Sequence, residues 1–120
     1  SIPVIINGNI TTLDEIQDHL THVDGVMLGR LAYQNPYEIA RIHHGLYPII
    51  PLPSRYDILI RYIDYLHGLN TSTIPTSLLI KPILNIAHGV PHAHVWKKML
   101  LDIQQSKNIE QLKDALEIIQ

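Results

Sequence analysis

Two short glycine-bearing segments in this 120-residue chain have the residue types that suit binding of a phosphate. Asn7-Gly8-Asn9-Ile10 sets a glycine, whose backbone a ligand can approach closely, beside an asparagine that tolerates the left-handed region better than most residues. Gly29-Arg30 adds another exposed amide and a guanidinium whose planar fork suits bidentate phosphate binding. Either segment alone is more often an ordinary turn or a surface charge, because such short motifs are frequent. Together, one βα unit apart and each closing an apolar run, they make phosphate binding the better reading.

A third feature is a two-sided helix beginning at His92. Trp96, Met99, Leu100 and Ile103 fall on one face, and His94, Lys97 and Lys98 fall on the other. A cationic face of this kind is as often merely solvated, so the sequence leaves nucleic-acid contact and simple solvation both open. The eight histidines invite a metal reading, with His43-His44 and His92-x-His94 as the closest groupings. Neither has cysteine partners or a carboxylate at zincin-like spacing, and surface or core roles are expected instead. Tyr33, Tyr37, Tyr62 and Tyr65 could stack on bases, but their helical spacing favours packing. The chain has no cysteine, which excludes disulfides, thiolate metal sites and a cysteine acid or nucleophile within it.

The elements that must position these groups follow from patterning. Pro3–Ile6 is a short β-branched run of the kind buried on both faces in parallel sheets. Thr12 with Glu15 forms a capping box, and Leu13, Ile16 and Leu20 carry a helix to about His22. Gly25–Leu28 reads as a second buried strand, which makes the first forty residues β-α-β with parallel strands. A short helix over Tyr37–Ile42 leads into a loop with Pro48, Pro51 and Pro53, taken as the domain boundary. Ser54 and Asp57 start a helix reaching about Leu69, and Thr76–Ala87 is a further helical pattern that Pro82 should kink. After the Gly89-Val90-Pro91 turn come a helix from His92 to about Gln105 and a last one capped by Asn108. Its apolar stripe is Ile109, Leu112, Leu116 and Ile119.

Length and charge bound what these elements can do. The chain is about half as long as a complete (β/α)₈ barrel. With a formal net charge of −2, it has no global basic field, so any nucleic-acid contact must come from a local patch. No stretch approaches a membrane span, and a cytoplasmic setting without membrane association is the expectation.

Pro3-Val4-Ile5-Ile6-Asn7-Gly8-Asn9-Ile10 and Asp24-Gly25-Val26-Met27-Leu28-Gly29-Arg30-Leu31-Ala32-Tyr33-Gln34-Asn35-Pro36 resemble the last two strands of the tRNA-dihydrouridine synthase barrel. The resemblance implies an FMN phosphate bound by Asn7, Gly8, Asn9, Gly29 and Arg30. The family usually carries a second glycine where this chain has Asn9. Ala87-His88-Gly89-Val90-Pro91-His92-Ala93-His94-Val95-Trp96-Lys97-Lys98-Met99-Leu100 resembles the C-terminal signature of the family's A subfamily, where an arginine-rich helix touches tRNA phosphates. Lys81, His94 and Lys97 occupy positions where that subfamily tends to have arginine, and Lys98 completes the basic pair. Because lysine lacks the planar fork and histidine is mostly neutral near pH 7, these departures point to a diverged copy.

The implied fold class is α/β plus all-α. Residues 1–47 are expected to form a C-terminal β-α-β piece of a TIM barrel, its last two β/α units, and residues 48–120 a helical bundle domain that binds tRNA. The implied reaction uses NADPH to reduce FMN and passes hydride to a flipped uridine while a cysteine supplies the proton. A chain without cysteine and without most of the barrel is expected to be inactive alone, and to need the missing N-terminal barrel portion as a partner or to self-associate. Two alternatives stand beside this reading: a helical RNA-binding module working alone, and the tail of another FMN-dependent barrel oxidoreductase.

Overall fold

Thr12 stops the first extended segment and starts the first helix. Its hydroxyl oxygen accepts from the Glu15 backbone N–H at 3.2 Å and donates to the Glu15 carboxylate at 3.0 Å, so Thr12 caps the helix as expected, with Glu15 reaching back to the hydroxyl. The computed structural model describes residues 2–119, and these fall into two units that divide between Leu52 and Pro53.

The first unit contains β1 (Ile5–Asn7), α1 (Leu13–Leu20), β2 (Gly25–Met27), α2 (Gly29–Gln34) and α3 (Pro36–Leu46). β1 and β2 pair in parallel, with Ile5 opposite Gly25, Ile6 opposite Val26 and Asn7 opposite Met27. Asp24 fixes that register from the side: its carboxylate accepts from the Val4 N–H at 2.7 Å, and its own N–H donates to the Val4 carbonyl at 2.8 Å. A small core gathers Ile10, Ile16, Leu31 and Ile42 beneath the strands. Gly45 lets α3 approach α1, since a Cβ there would clash with Leu13.

The expectation of strands buried on both faces is corrected here. Val4 is 53% and Ile5 68% exposed, because a two-stranded sheet gives each strand only one neighbour. Leu20, at helical spacing from Ile16, closes α1 as an exposed residue of its last turn. α3 is also longer than expected, beginning with Pro36 in the first turn, where its missing N–H costs nothing, and continuing to Leu46.

The second unit is helical: α4 (Arg55–His67), α5 (Thr76–Ile80), α6 (Ala93–Ser106) and α7 (Leu112–Ile119), with short 3₁₀ turns at Thr71–Thr73, Lys81–Ile83 and Ile109–Gln111. Ser54 caps α4 by accepting from the Asp57 N–H at 3.0 Å. The core runs continuously from Leu59, Ile63 and Leu66 of α4 through Leu79, Ile80 and Ile83 to Trp96, Leu100 and Ile103 of α6 and Leu112, Ala115 and Leu116 of α7.

Two helical expectations are corrected in this unit. Pro82 ends α5 at Ile80 rather than kinking it, because proline both lacks an N–H and crowds the carbonyl four residues back. The Ile83 carbonyl, outside any α-helical ladder, is taken by the buried Trp96 indole N–H at 3.0 Å. Asn108 makes no side-chain cap: a 3₁₀ turn intervenes before α7, and the Asn108 carbonyl accepts from the Gln111 N–H at 3.1 Å.

Candidate functional site

Because Asn7 and Met27 are opposite each other at the ends of parallel strands, the chain leaves β1 and β2 on the same edge. The segments that follow form the walls of one groove of about 340 Å³. Asn7, Gly8, Asn9, Gly29 and Arg30 all line it, so the five residues singled out as phosphate contacts are brought together. Gly8 has φ of 151° and Asn9 φ of 48°, and these consecutive positive values turn the backbone where β1 ends. A Cβ built on either Gly8 or Gly29 would meet nothing within 4 Å, leaving both backbones open to close approach by a ligand.

The placement of Gly29 and Arg30 differs from the loop expected for them. They are the first two residues of α2, whose N-cap Leu28 offers no side-chain acceptor, so their amides have no carbonyl a turn earlier to bind. Arg30 is exposed and, among the described residues, is the only charged one in the groove lining, which favours an anion. Sequence reasoning missed Thr11 and Gln34, which also line the groove. Gln34 is four residues from Arg30 on α2, a signal legible once Gly29 is recognised as a helix start. This donor set, backbone amides with a hydroxyl, side-chain amides and one guanidinium, fits a phosphate monoester such as that of FMN.

In the helical unit, α6 buries Trp96, Leu100 and Ile103 and exposes His94, Lys97 and Lys98, as its two-sided pattern requires. His94 and Lys97 line a second groove, of about 200 Å³, together with His88 from the preceding turns. Lys98 is exposed on the same helix but outside that lining, and Lys81 lies in the 3₁₀ turn after α5, also outside it. His88 is a residue the sequence reading passed over; its signal was the His88-Gly89 step, with Gly89 at φ of 85° turning the chain back toward α6.

The other singled-out residues have structural partners. His43 packs against Tyr47 with ring centroids 5.1 Å apart, and the His44 Nδ1–H donates to the Ile50 carbonyl at 2.8 Å. Arg41 lies over the Tyr37 ring at 5.1 Å, and Tyr62 stacks on Tyr65 at 6.2 Å. The Tyr62 hydroxyl donates to the Leu79 carbonyl at 2.6 Å, and burial, with Tyr65 beside it, raises its pKa above the ordinary tyrosine value. No helix among the described residues is long and apolar enough to cross a membrane.

Comparison with known proteins converges on one family. The model of the dihydrouridine synthase (Dus) family matches residues 1–120. The tRNA-dihydrouridine(20/20a) synthase of Synechocystis sp. is 36% identical over 115 residues, covering 93% of this chain and 34% of that protein. The Pseudomonas putida enzyme of the same name is 34% identical over 122 residues, 99% of this chain and 36% of that protein. The Shewanella oneidensis one is 30% identical over 123 residues, 100% of this chain and 37% of that protein. The chain therefore spans about a third of the length of the curated relatives it matches. With its whole length matched by the family model, this chain belongs to the dihydrouridine synthase family.

Proposed function

We propose that this chain forms part of an A-subfamily, flavin-dependent tRNA-dihydrouridine synthase, holding the FMN phosphate with one unit and contacting tRNA with the other. The observation that carries the reading is the convergence of Asn7, Gly8, Asn9, Gly29 and Arg30 on a single groove at the ends of two parallel strands. In barrel enzymes this is where the loops after the last strands cradle phosphates. On this reading residues 1–47 are the last two β/α units of an FMN-binding TIM barrel and residues 48–120 the tRNA-binding part. The exposed Val4, Ile5 and Met27 are apolar surface that the rest of such a barrel, or a second copy of the chain, would cover. Family membership favours this enzyme over the tail of another flavin barrel.

Held in the groove by Asn7, Gly8, Asn9, Gly29 and Arg30, FMN reduced by NADPH would supply the hydride that converts uridine to 5,6-dihydrouridine. The part played by the residues present is positioning: Gly8 and Gly29 admit the phosphate to the backbone amides, and Arg30 fixes its charge. Lys97, Lys98, Lys81 and His94 offer cationic or polar contacts to the tRNA backbone. The chain has no thiol to give the proton that must accompany the hydride, so uridine reduction by this chain alone is not expected.

Titration with FMN and with riboflavin, which lacks the phosphate, tests the reading through quenching of flavin fluorescence. FMN is expected to bind at least tenfold more tightly than riboflavin, about 1.4 kcal/mol, and Arg30→Ala is expected to remove most of that difference. Equal binding of the two flavins, or an FMN affinity indifferent to Arg30, overturns it.

A further inference from the structure

The groove beside α6 has two chemically distinct parts. Leu84, Ala87 and Ala93, all partly or fully buried, make a mostly apolar floor of largely small side chains, with the half-buried Asn85 beside them. His88, His94 and Lys97, all exposed, form a rim with two imidazoles and one ammonium. Among the described residues the lining contains no carboxylate. Its walls are held in place from within the unit. The Arg55 guanidinium donates to the Ile86 carbonyl at 2.8 Å and to the His88 carbonyl at 3.3 Å, and the Trp96 indole pins the Ile83 carbonyl at 3.0 Å. The depression is therefore formed before anything binds, which lowers the entropy lost on binding.

We propose that this groove receives one unpaired nucleobase of a bound RNA, stacked between His88 and His94 over the alanine floor, with the adjoining phosphate on Lys97. The proposal rests on the tRNA-contact reading and adds to it a base-binding subsite. A phosphate or a carboxylate alone would gain nothing from an apolar floor. A flat ring carrying an adjacent negative charge uses the floor, the imidazoles and the ammonium together. At about 200 Å³ the groove suits a single base and not the paired, stacked bases of a helix.

Fluorescence anisotropy with the full 120-residue chain tests this using two probes of equal charge: a short single-stranded RNA, and a strand of the same length with abasic riboses throughout. The base-bearing strand is expected to bind about tenfold more tightly, the range of one base stacked on a ring. His88→Ala and His94→Ala, both at exposed positions, should each erase most of that ratio while leaving the helical circular dichroism unchanged. Lys97→Gln should weaken both probes alike and lower the slope of log affinity against log salt by about one. If the two probes bind equally well, the base subsite is wrong and phosphate contact by this unit stands. If neither binds even at low salt, the RNA-contact reading falls, and the subsite with it.

Discussion

At the scale of single residues, the groove at the strand ends turns on Asn9. Its φ of 48° lies in the left-handed region that favours glycine. An asparagine side chain in the lining leaves less room for a phosphate near the Gly8 and Asn9 amides. Asn9→Gly should therefore tighten FMN binding about fivefold, equivalent to about 1 kcal/mol, with folding stability changed by less than about 1 kcal/mol. Weaker binding in a flavin fluorescence titration would show instead that the Asn9 side chain helps hold the phosphate. Tyr62 governs a different property. Burial, then the neighbouring Tyr65, raises its pKa in the folded state, so the folded chain holds the phenol proton more tightly than the unfolded chain does. The stability this contributes is complete below the ordinary tyrosine value of about 10 and is lost as pH rises through the higher folded value. Urea midpoints of the helical unit should fall with pH above about 10. Tyr62→Phe should flatten that fall, while at neutral pH it costs about 1 kcal/mol for the hydrogen bond to the Leu79 carbonyl.

At the scale of elements, helix starts are set by single hydroxyls. Ser54 accepts from the Asp57 N–H at 3.0 Å and Thr12 from the Glu15 N–H at 3.2 Å. Replacing either by alanine should cost about 1 kcal/mol, read as a lower denaturation midpoint for the unit that carries it and not for the other. These starts were legible because a cap and its partner three residues later are a local pattern that tertiary packing does not rewrite. The parallel β-α-β order and the division of α6 into a buried face and a cationic one were legible for the same reason. What the sequence hid depends on longer-range partners. The consequence of Pro82 rests on the Trp96 indole, 13 residues away, offering the Ile83 carbonyl a bond outside a helix. Gly29 and Arg30 looked like loop residues because glycine marks strand ends, whereas here the chain enters α2 directly. Of the residues that line the first groove, Asn7, Gly8, Asn9, Gly29 and Arg30 stood out in the sequence, whereas Thr11 and Gln34 did not. In the second groove His94 and Lys97 stood out and His88 did not, because its place in the lining follows from a turn that Arg55, more than thirty residues earlier, holds by its backbone.

At the scale of the whole molecule, the two units differ in how much apolar surface they bury. The buried cluster of the helical unit draws on α4, α5, α6 and α7, whereas that of the first unit consists of Ile10, Ile16, Leu31 and Ile42. The first unit also leaves Ile2, Val4, Ile5 and Met27 more than half exposed, so these side chains bury only part of their apolar area on folding. Since stability follows buried apolar area less the entropy of ordering the chain, the first unit should open at lower denaturant than the second. Hydrogen exchange read by mass spectrometry should show amides of α4, α6 and α7 outlasting those of β1, β2 and α1 by at least a factor of about ten, or 1.4 kcal/mol of opening free energy. The segment between α3 and α4 contains Ile49, which is 97% exposed, and it should be the first site of cleavage by a protease that cuts before apolar residues. The product would be a helical fragment that remains folded. Equal protection across both units, with cleavage distributed through α4 to α7, would mean that the chain folds as one cooperative body and that the core around Trp96 does not stand by itself.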